Sequence, residues 1–186
     1  MKKKYNKIFL KGEKIYLRKL VLKDVNKKYL SWMFDKNNSY IPAASYTKTM
    51  DSLKKYVKKK LNNSSVLFFA IIDIESGTHI GNIKMEPINW ASKTASFGRL
   101  IGHRDFKKKG YGTEATKIIL KFAFEILNLK KISSYCLKEN IAAIKSNTKN
   151  GMSIKKNTKN KQFIKNKWRT LIELRISKKD WNNRKK

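Results

Sequence analysis

Hydrophobic positions along the chain change their spacing several times, and each change marks an element. Within Glu13–Leu20, Ile15 and Leu17 alternate with Tyr16 and Arg18, the period of two expected of a half-buried strand. In "VLKDVNKKYLSWMFD", Val25, Tyr29, Trp32 and Met33 fall at helical spacing, and Asp24 stands where a helix cap is expected. "KNNSYIPAASYTKT" is rich in Asn and Ser and carries a Pro, a loop composition. A second helix is predicted over Met50–Leu61, with Leu53, Tyr56, Val57 and Leu61 as its apolar face.

The period then returns to that of strands. "SVLFFAIID" and "HIGNIKMEPI", joined by "IESGT" with its Ser-Gly turn signal, predict an antiparallel hairpin. A further strand is expected over Thr94–Gly102. From Thr113 onward, Ala115, Ile118, Ile119, Phe122, Ala123 and Ile126 recur at intervals of three and four, a strong amphipathic helix pattern. "KISSYCL" reads as strand, and a shorter helix follows with Asn140 as its cap and Gly151 closing it. The segment "MSIKKNTKNKQFIKNKWRTLIELRIS" reads as two strands around a lysine-rich turn, and residues 178–186 as a frayed tail. No internal repeat or linker interrupts the order β-α-α-β-β-β-α-β-α-β-β. That order predicts a mixed α/β fold over residues 1–186 as a single domain, and the length suits one buried core.

Composition narrows the function classes. The longest wholly apolar run is "VLFFAII", too short to span a bilayer, and the first residues carry no apolar stretch of signal-peptide length, so a cytoplasmic protein without membrane association is expected. The single cysteine, Cys136, rules out an internal disulfide and offers no metal cluster, and its place in a strand suits a small buried hydrophobe. The formal net charge is +32, which draws anions toward the chain. Clustered Lys and Arg bind polynucleotides by releasing phosphate counterions. Here the lysines are spread over nearly every segment, only six residues are arginine, and Lys, Asn and Ile are abundant together, as an AT-rich coding bias would produce.

One stretch concentrates charge and glycine at a helix start: "HRDFKKKGYGTEATK", residues 103–117. The first amides of a helix lack intrahelical partners, and glycine lets a bulky anion approach the backbone. Such a terminus favours negative charge by about 0.3–1 kcal/mol. A phosphate or pyrophosphate is the natural guest. A dinucleotide fingerprint needs a third glycine where Ala115 stands, and a P-loop needs a Lys where Thr113 follows Gly112 directly, so neither fits.

The segment "LIGHRDFKKKGYGTEATKIILKFAFEILNLKKI" resembles motif A of the GNAT (Gcn5-related) N-acetyltransferase superfamily, in which [QR]-x-x-G-x-[GA] binds the pyrophosphate of acetyl-coenzyme A. The likeness continues through Asn140 and "AIKSNTKNGM", while "YLRKLVLKD" and "GTHIGNIKMEPIN" are similar to its ribosomal-protein and amino-sugar acetyltransferase branches. The resemblance implies a GNAT-like mixed, largely antiparallel central sheet with a splayed strand pair and flanking helices. It also implies an acetyl-coenzyme A site in which Lys107, Lys108, Lys109, Gly110, Tyr111, Gly112 and Thr113 surround the pyrophosphate. Leu100, Ile101 and Gly102 would bond the pantetheine arm, and Asn140 and Lys145 would flank it. Lys107 departs from the usual Gln or Arg, keeping charge without a planar hydrogen-bonding head.

The chemistry so implied is direct attack of a neutral amine on the thioester, which needs positioning, deprotonation, oxyanion stabilisation and a proton for the leaving thiolate. At the place where the superfamily often has a tyrosine acid this chain has Asn147, leaving that role open, with Ser146 beside it. Glu86, near the end of a strand bordering the acceptor cleft, is the candidate base. Trp32, Asp35 and Tyr40 are candidate acceptor contacts, His103 and Asp105 lie beside the cofactor loop, and His79 is read as a turn-edge residue without a role. The resemblance of "LSWMFD" and "GTHIGNIKMEPINW" to enzymes that acetylate nucleotide-activated amino sugars implies such an acceptor, a nucleotide-linked amino sugar whose phosphates suit the basic field. Protein α-amino groups, as in ribosomal-protein acetylation, are the alternative, an antibiotic or a polyamine ranks below them because a cationic acceptor opposes the net charge, and a non-catalytic nucleic-acid-binding relative is a further reading. A monomer or a homodimer is expected.

Overall fold

The structure is a computed structural model that describes residues 9–35, 38, 42–155, 161–164 and 167–184. Among the described residues, nine strands form the framework: β1 (Phe9–Lys11), β2 (Ile15–Lys19), β3 (Leu67–Asp73), β4 (His79–Asn89), β5 (Thr94–Ile101), β6 (Lys131–Leu137), β7 (Ser153–Ile154), β8 (Lys161–Ile164) and β9 (Lys167–Ser177). Their order across the sheet is β1-β2-β3-β4-β5-β6-β9-β7, with β8 paired to β9 as a hairpin. Every pairing is antiparallel except β5 with β6. The helices are α1 (Lys27–Phe34), α2 (Met50–Asn62), α3 (Tyr111–Lys121, continued by a π-helical turn at Phe122–Ile126), α4 (Ile141–Lys149) and α5 (Lys178–Asn183).

Two cores follow from strand alternation. In β3, Phe69 and Ile71 join one core beneath α3 and α5, and Phe68, Ala70 and Ile72 join a second beneath α1 and α2. Burial on both faces explains why β3 is almost wholly apolar rather than alternating. Each fully buried Phe, Ile or Leu contributes about 1.5–3 kcal/mol, so both layers are held firmly to the sheet.

The parallel pair positions the site. Its ladder runs from Thr94↔Lys131 to Phe97↔Ser134 and stops, although β5 extends to Ile101 and β6 to Leu137. Each strand keeps its outer neighbour to the end, through Ile101↔Gly81 and Leu137↔Leu171. The gap therefore opens only between β5 and β6, and this is the expected splay.

Four local assignments change. Phe9–Lys11 adds an edge strand that the sequence pattern did not reveal. Asp24 does not cap α1: its carboxylate accepts from both Arg18 Nη atoms at 2.6 and 2.7 Å and from the Val21 amide at 2.9 Å, and Asn26 caps the helix instead by accepting from the Tyr29 amide. The strand-borne guanidinium captured the carboxylate before the helix did. α3 starts at Tyr111, two residues before Thr113, because Gly110 in the left-handed region (φ +90°) ends the preceding turn. The expected frayed tail is helical over Lys178–Asn183, capped by Ser177 and Asp180 reciprocally, with buried Trp181 packed on Phe124 at 5.8 Å.

Candidate active site

The cofactor loop is built by its flanks. Lys108 (φ +62°) and Gly110 both occupy the left-handed region, which folds the chain tightly into α3. Thr113 and Glu114 donate to the Gly110 carbonyl at 2.9 and 3.0 Å. Tyr111 and Gly112 thus supply the outermost helical amides, groups without intrahelical partners. Three ties hold this turn. Glu114 Oε1 accepts from the amides of Glu13 and Lys14 at 2.6 and 2.9 Å, the Tyr111 hydroxyl donates to Asp73 Oδ1 at 3.1 Å, and Asn150 Nδ2 donates to the Thr113 carbonyl at 3.0 Å. Lys108, Lys109 and Gly110 are exposed, and the space where a Gly110 Cβ would lie is open. These features fit a pyrophosphate.

Lys107 is placed differently from its neighbours. Its ammonium donates to Asp35 Oδ2 at 3.1 Å and Asn38 Oδ1 at 3.0 Å, so it faces the segment after α1 rather than the glycine loop. The same contact corrects Asp35, whose buried carboxylate faces Lys107 and, at 3.5 Å, Arg104. Neither Asp35 nor Trp32 is part of the cleft wall. Trp32 is buried among Tyr29, His79 and Gly102, where a Cβ would overlap its ring. Tyr40 lies outside the described residues. Gly102 gives its amide to the Ile80 carbonyl at 2.9 Å, which leaves Leu100 and Ile101 as the splayed part of β5. Lys145 is exposed on α4, and His103 Nδ1 lies 3.7 Å from Asp105 in the turn before the loop.

A cleft of about 680 Å³ opens at the splay, between β5, β6, the start of α4 and the face that α1 and α2 partly cover. Gly98, Leu100, Tyr135, Leu137 and Asn140 line its inner end. Asn140 caps α4 through Oδ1, which accepts from Ala143 N at 3.1 Å. The wall beneath α1 and α2 carries Tyr29, Tyr46, Tyr56, Lys60, Lys84 and Glu86. Glu86 is clamped: its two carboxylate oxygens pair with Lys60 and Lys84, and Lys84 also donates to the Tyr56 hydroxyl at 2.8 Å. Burial alone would raise the Glu86 pKa, yet the two ammonium groups outweigh it and hold the carboxyl below its usual range. Burial pushes the Tyr56 phenol up to about 12.

Arg99 is the functional candidate that sequence reasoning missed. It lines the cleft at the splay, and Nη1 donates to Thr116 Oγ1 at 2.8 Å and to Asn147 Oδ1 at 2.7 Å. Asn147 is fully buried and turns Nδ2 toward Cys136 Sγ at 3.5 Å, so it anchors the arginine and is no proton donor to the cleft. Cys136 is buried as expected, with a thiol pKa raised by desolvation. The only available signal was an arginine in an otherwise uncharged strand four residues before the charged loop. His79 is likewise more than a turn-edge residue: its ring is packed against Trp32, and Nε2 lies 2.9 Å from both the Gly81 carbonyl and Asn82 Oδ1.

Among the described residues, no group of His, Cys, Asp or Glu could hold a metal ion, and no helix is long and apolar enough to cross a membrane. Residues 14–153 match the sequence model of the acetyltransferase (GNAT) domain. The chain is 26% identical over 171 residues to the uncharacterized N-acetyltransferase YnaD of Bacillus subtilis, covering 91% of this chain and 97% of that one. It is 30% identical over 100 residues to the spermidine N(1)-acetyltransferase of Escherichia coli K12, covering 54% of this chain and 53% of that protein. The crystal structure of spermidine N-acetyltransferase from Vibrio cholerae in complex with CoA and spermine superposes with a TM-score of 0.78 at 21% identity, over 92% of this chain and all of that one. The splayed sheet, the glycine turn and the match across both agree: the chain belongs to the GNAT family and is an N-acetyltransferase that takes its acetyl group from acetyl-coenzyme A.

Proposed function

We propose that this enzyme acetylates the primary amine of a small acceptor that also carries negative charge, a nucleotide-linked amino sugar being the class that fits best. The observation that carries this reading is the charge of the cleft wall. Among the described residues, Lys60, Lys84, Arg99 and Lys161 line it against one carboxylate, Glu86, which two of those lysines already neutralise. A polycation such as spermidine would meet like charge there, whereas a diphosphate would find ammonium partners.

The bound coenzyme supplies an activated thioester. The residues of the chain do the rest. The exposed amides and lysines of the 108–112 loop hold the pyrophosphate, and the splayed edges of β5 and β6 align the pantetheine arm. The acceptor nitrogen attacks the acetyl carbon, the C–S bond breaks, and the nitrogen's surplus proton leaves as the coenzyme's thiolate is released. Lys60 and Lys84 disfavour a third ammonium beside them, which shifts the acceptor toward its nucleophilic, neutral form. Glu86 stands as the base in this scheme, weakened by its clamp and relaying the proton through water. The Arg99 guanidinium, fixed by Thr116 and Asn147, offsets charge on the departing sulfur.

The test is thiol release with acetyl-coenzyme A and three acceptors: UDP-glucosamine, spermidine, and a peptide with a free α-amino group. A kcat/KM at least tenfold higher for UDP-glucosamine supports the reading. A preference for spermidine assigns the acceptor class named for the E. coli relative, and a preference for the peptide assigns protein α-amino acetylation.

A further inference from the structure

Among the described residues, the cleft lining holds one buried side-chain nitrogen without a hydrogen-bond partner. Asn82 is 4% exposed and lines the cleft, and its Nδ2 has no hydrogen-bond partner among the described residues. Its orientation is determined by His79. Nε2 of that ring lies 2.9 Å from the Gly81 carbonyl, which can only accept, so Nε2 carries the proton and the atom of Asn82 at 2.9 Å is the oxygen. The ring itself cannot turn easily, boxed by Trp32 at 5.1 Å and Tyr29 at 6.1 Å between centroids. Raising or lowering pH leaves this arrangement intact, because burial keeps the His79 pKa below its usual value and both ring forms retain the Nε2 proton.

A buried donor left unpaired is costly, and folded proteins rarely tolerate one without a use. The placement indicates the use. Asn82 faces Leu100 across the β4–β5 ladder, three residues beyond the end of the β5–β6 pairing, and Lys84 faces Gly98, where no side chain blocks the floor. Asn82 therefore lines the cleft level with the splayed end of β5, beside the splay proposed above to align the pantetheine arm.

We propose that Asn82 is a specificity-determining residue whose Nδ2 donates a hydrogen bond to an oxygen of the acceptor next to the reacting amine, with His79 as its positioning residue. This rests on the acceptor class proposed above and deepens it. A sugar hydroxyl offers the lone pair that Nδ2 needs, and an alkyl polyamine has no oxygen. Sites built to bond a substrate oxygen reject analogues lacking it by roughly 10⁴–10⁵ at best, since the buried group is then left unpaired.

The experiment compares wild type with Asn82→Ala and Asn82→Leu, which both remove the donor and the acceptor without adding charge, Leu also filling the space. Steady-state kcat/KM is measured for UDP-glucosamine and spermidine, with thermal melting of each variant alongside. The ratio of the two kcat/KM values falls about 10²-fold in both variants, with the melting temperature of Asn82→Leu equal to or above wild type because an unpaired amide is gone. If Asn82→Leu fails to fold, the ratio in Asn82→Ala decides. A wild-type preference for UDP-glucosamine that survives the substitutions overturns this proposal alone. A wild type that prefers spermidine, or acetylates neither probe, overturns the acceptor class and this proposal with it.

Discussion

Two lysines decide what Glu86 can do. The carboxylate and both ammonium groups are mostly shielded from solvent, with about a fifth of each side chain exposed. Glu86→Gln leaves Lys60 and Lys84 facing each other, and we expect a loss of about 1–3 kcal/mol, read by urea denaturation at neutral pH. The pH dependence has a definite sign. The folded-state pKa lies below the unfolded one, so the contribution is complete above the ordinary glutamate value and fades as pH falls through the lower folded value. The Gln variant should thus lose part of the acid-induced destabilisation that wild type shows below about pH 4, near the reference glutamate pKa. Arg99 carries a different expectation. Arg99→Met removes charge from the splay and strands Asn147 Oδ1, and kcat should fall by about 10–10³ with a smaller change in KM for acetyl-coenzyme A, measured by steady-state kinetics.

The strand-turn-helix unit from β5 to α3 was legible because glycine, lysine and a helical period coincide in one short segment. Gly112 tests its role. A Cβ there would lie 3.1 Å from Arg99 Nε, tight but not blocked, so Gly112→Val perturbs the turn without dismantling the fold. Near 100 times its dissociation constant, acetyl-coenzyme A should stabilise wild type by about 2.7 kcal/mol, roughly 5–10 °C, and the variant should lose most of that rise. ATP at equal concentration serves as the polyanion control. α5 was not legible, since six residues ending in a lysine-rich tail show no helical period. Besides its Ser177–Asp180 cap, it is held by Trp181, which packs on Phe124 and donates from Nε1 to Glu125 Oε1 at 3.2 Å. Trp181→Ala should cost about 3–5 kcal/mol, seen as a melting temperature lower by about 6–20 °C.

Over the whole molecule, the net charge of +32 works against compactness. Raising salt from about 20 to 200 mM shortens the screening length from roughly 20 Å to below 10 Å, so melting temperature should rise while affinity for the coenzyme falls. A collapse of polynucleotide affinity by about 10³–10⁵ over a similar range would instead point to a nucleic-acid partner. Most of the element order and the glycine turn before α3 are properties of the sequence by itself, because periodicity and backbone freedom act over a few residues. The tertiary structure alone decided the cleft. Lys60 and Lys84 come from a helix and a strand separated by a loop and a strand, and Asn147 reaches Arg99 across 48 positions of chain. Lys107, which the resemblance to motif A set beside the cofactor, pairs with Asp35 from 72 positions away. Charge pairing is decided by distance in space, and no local pattern records which partner arrives first.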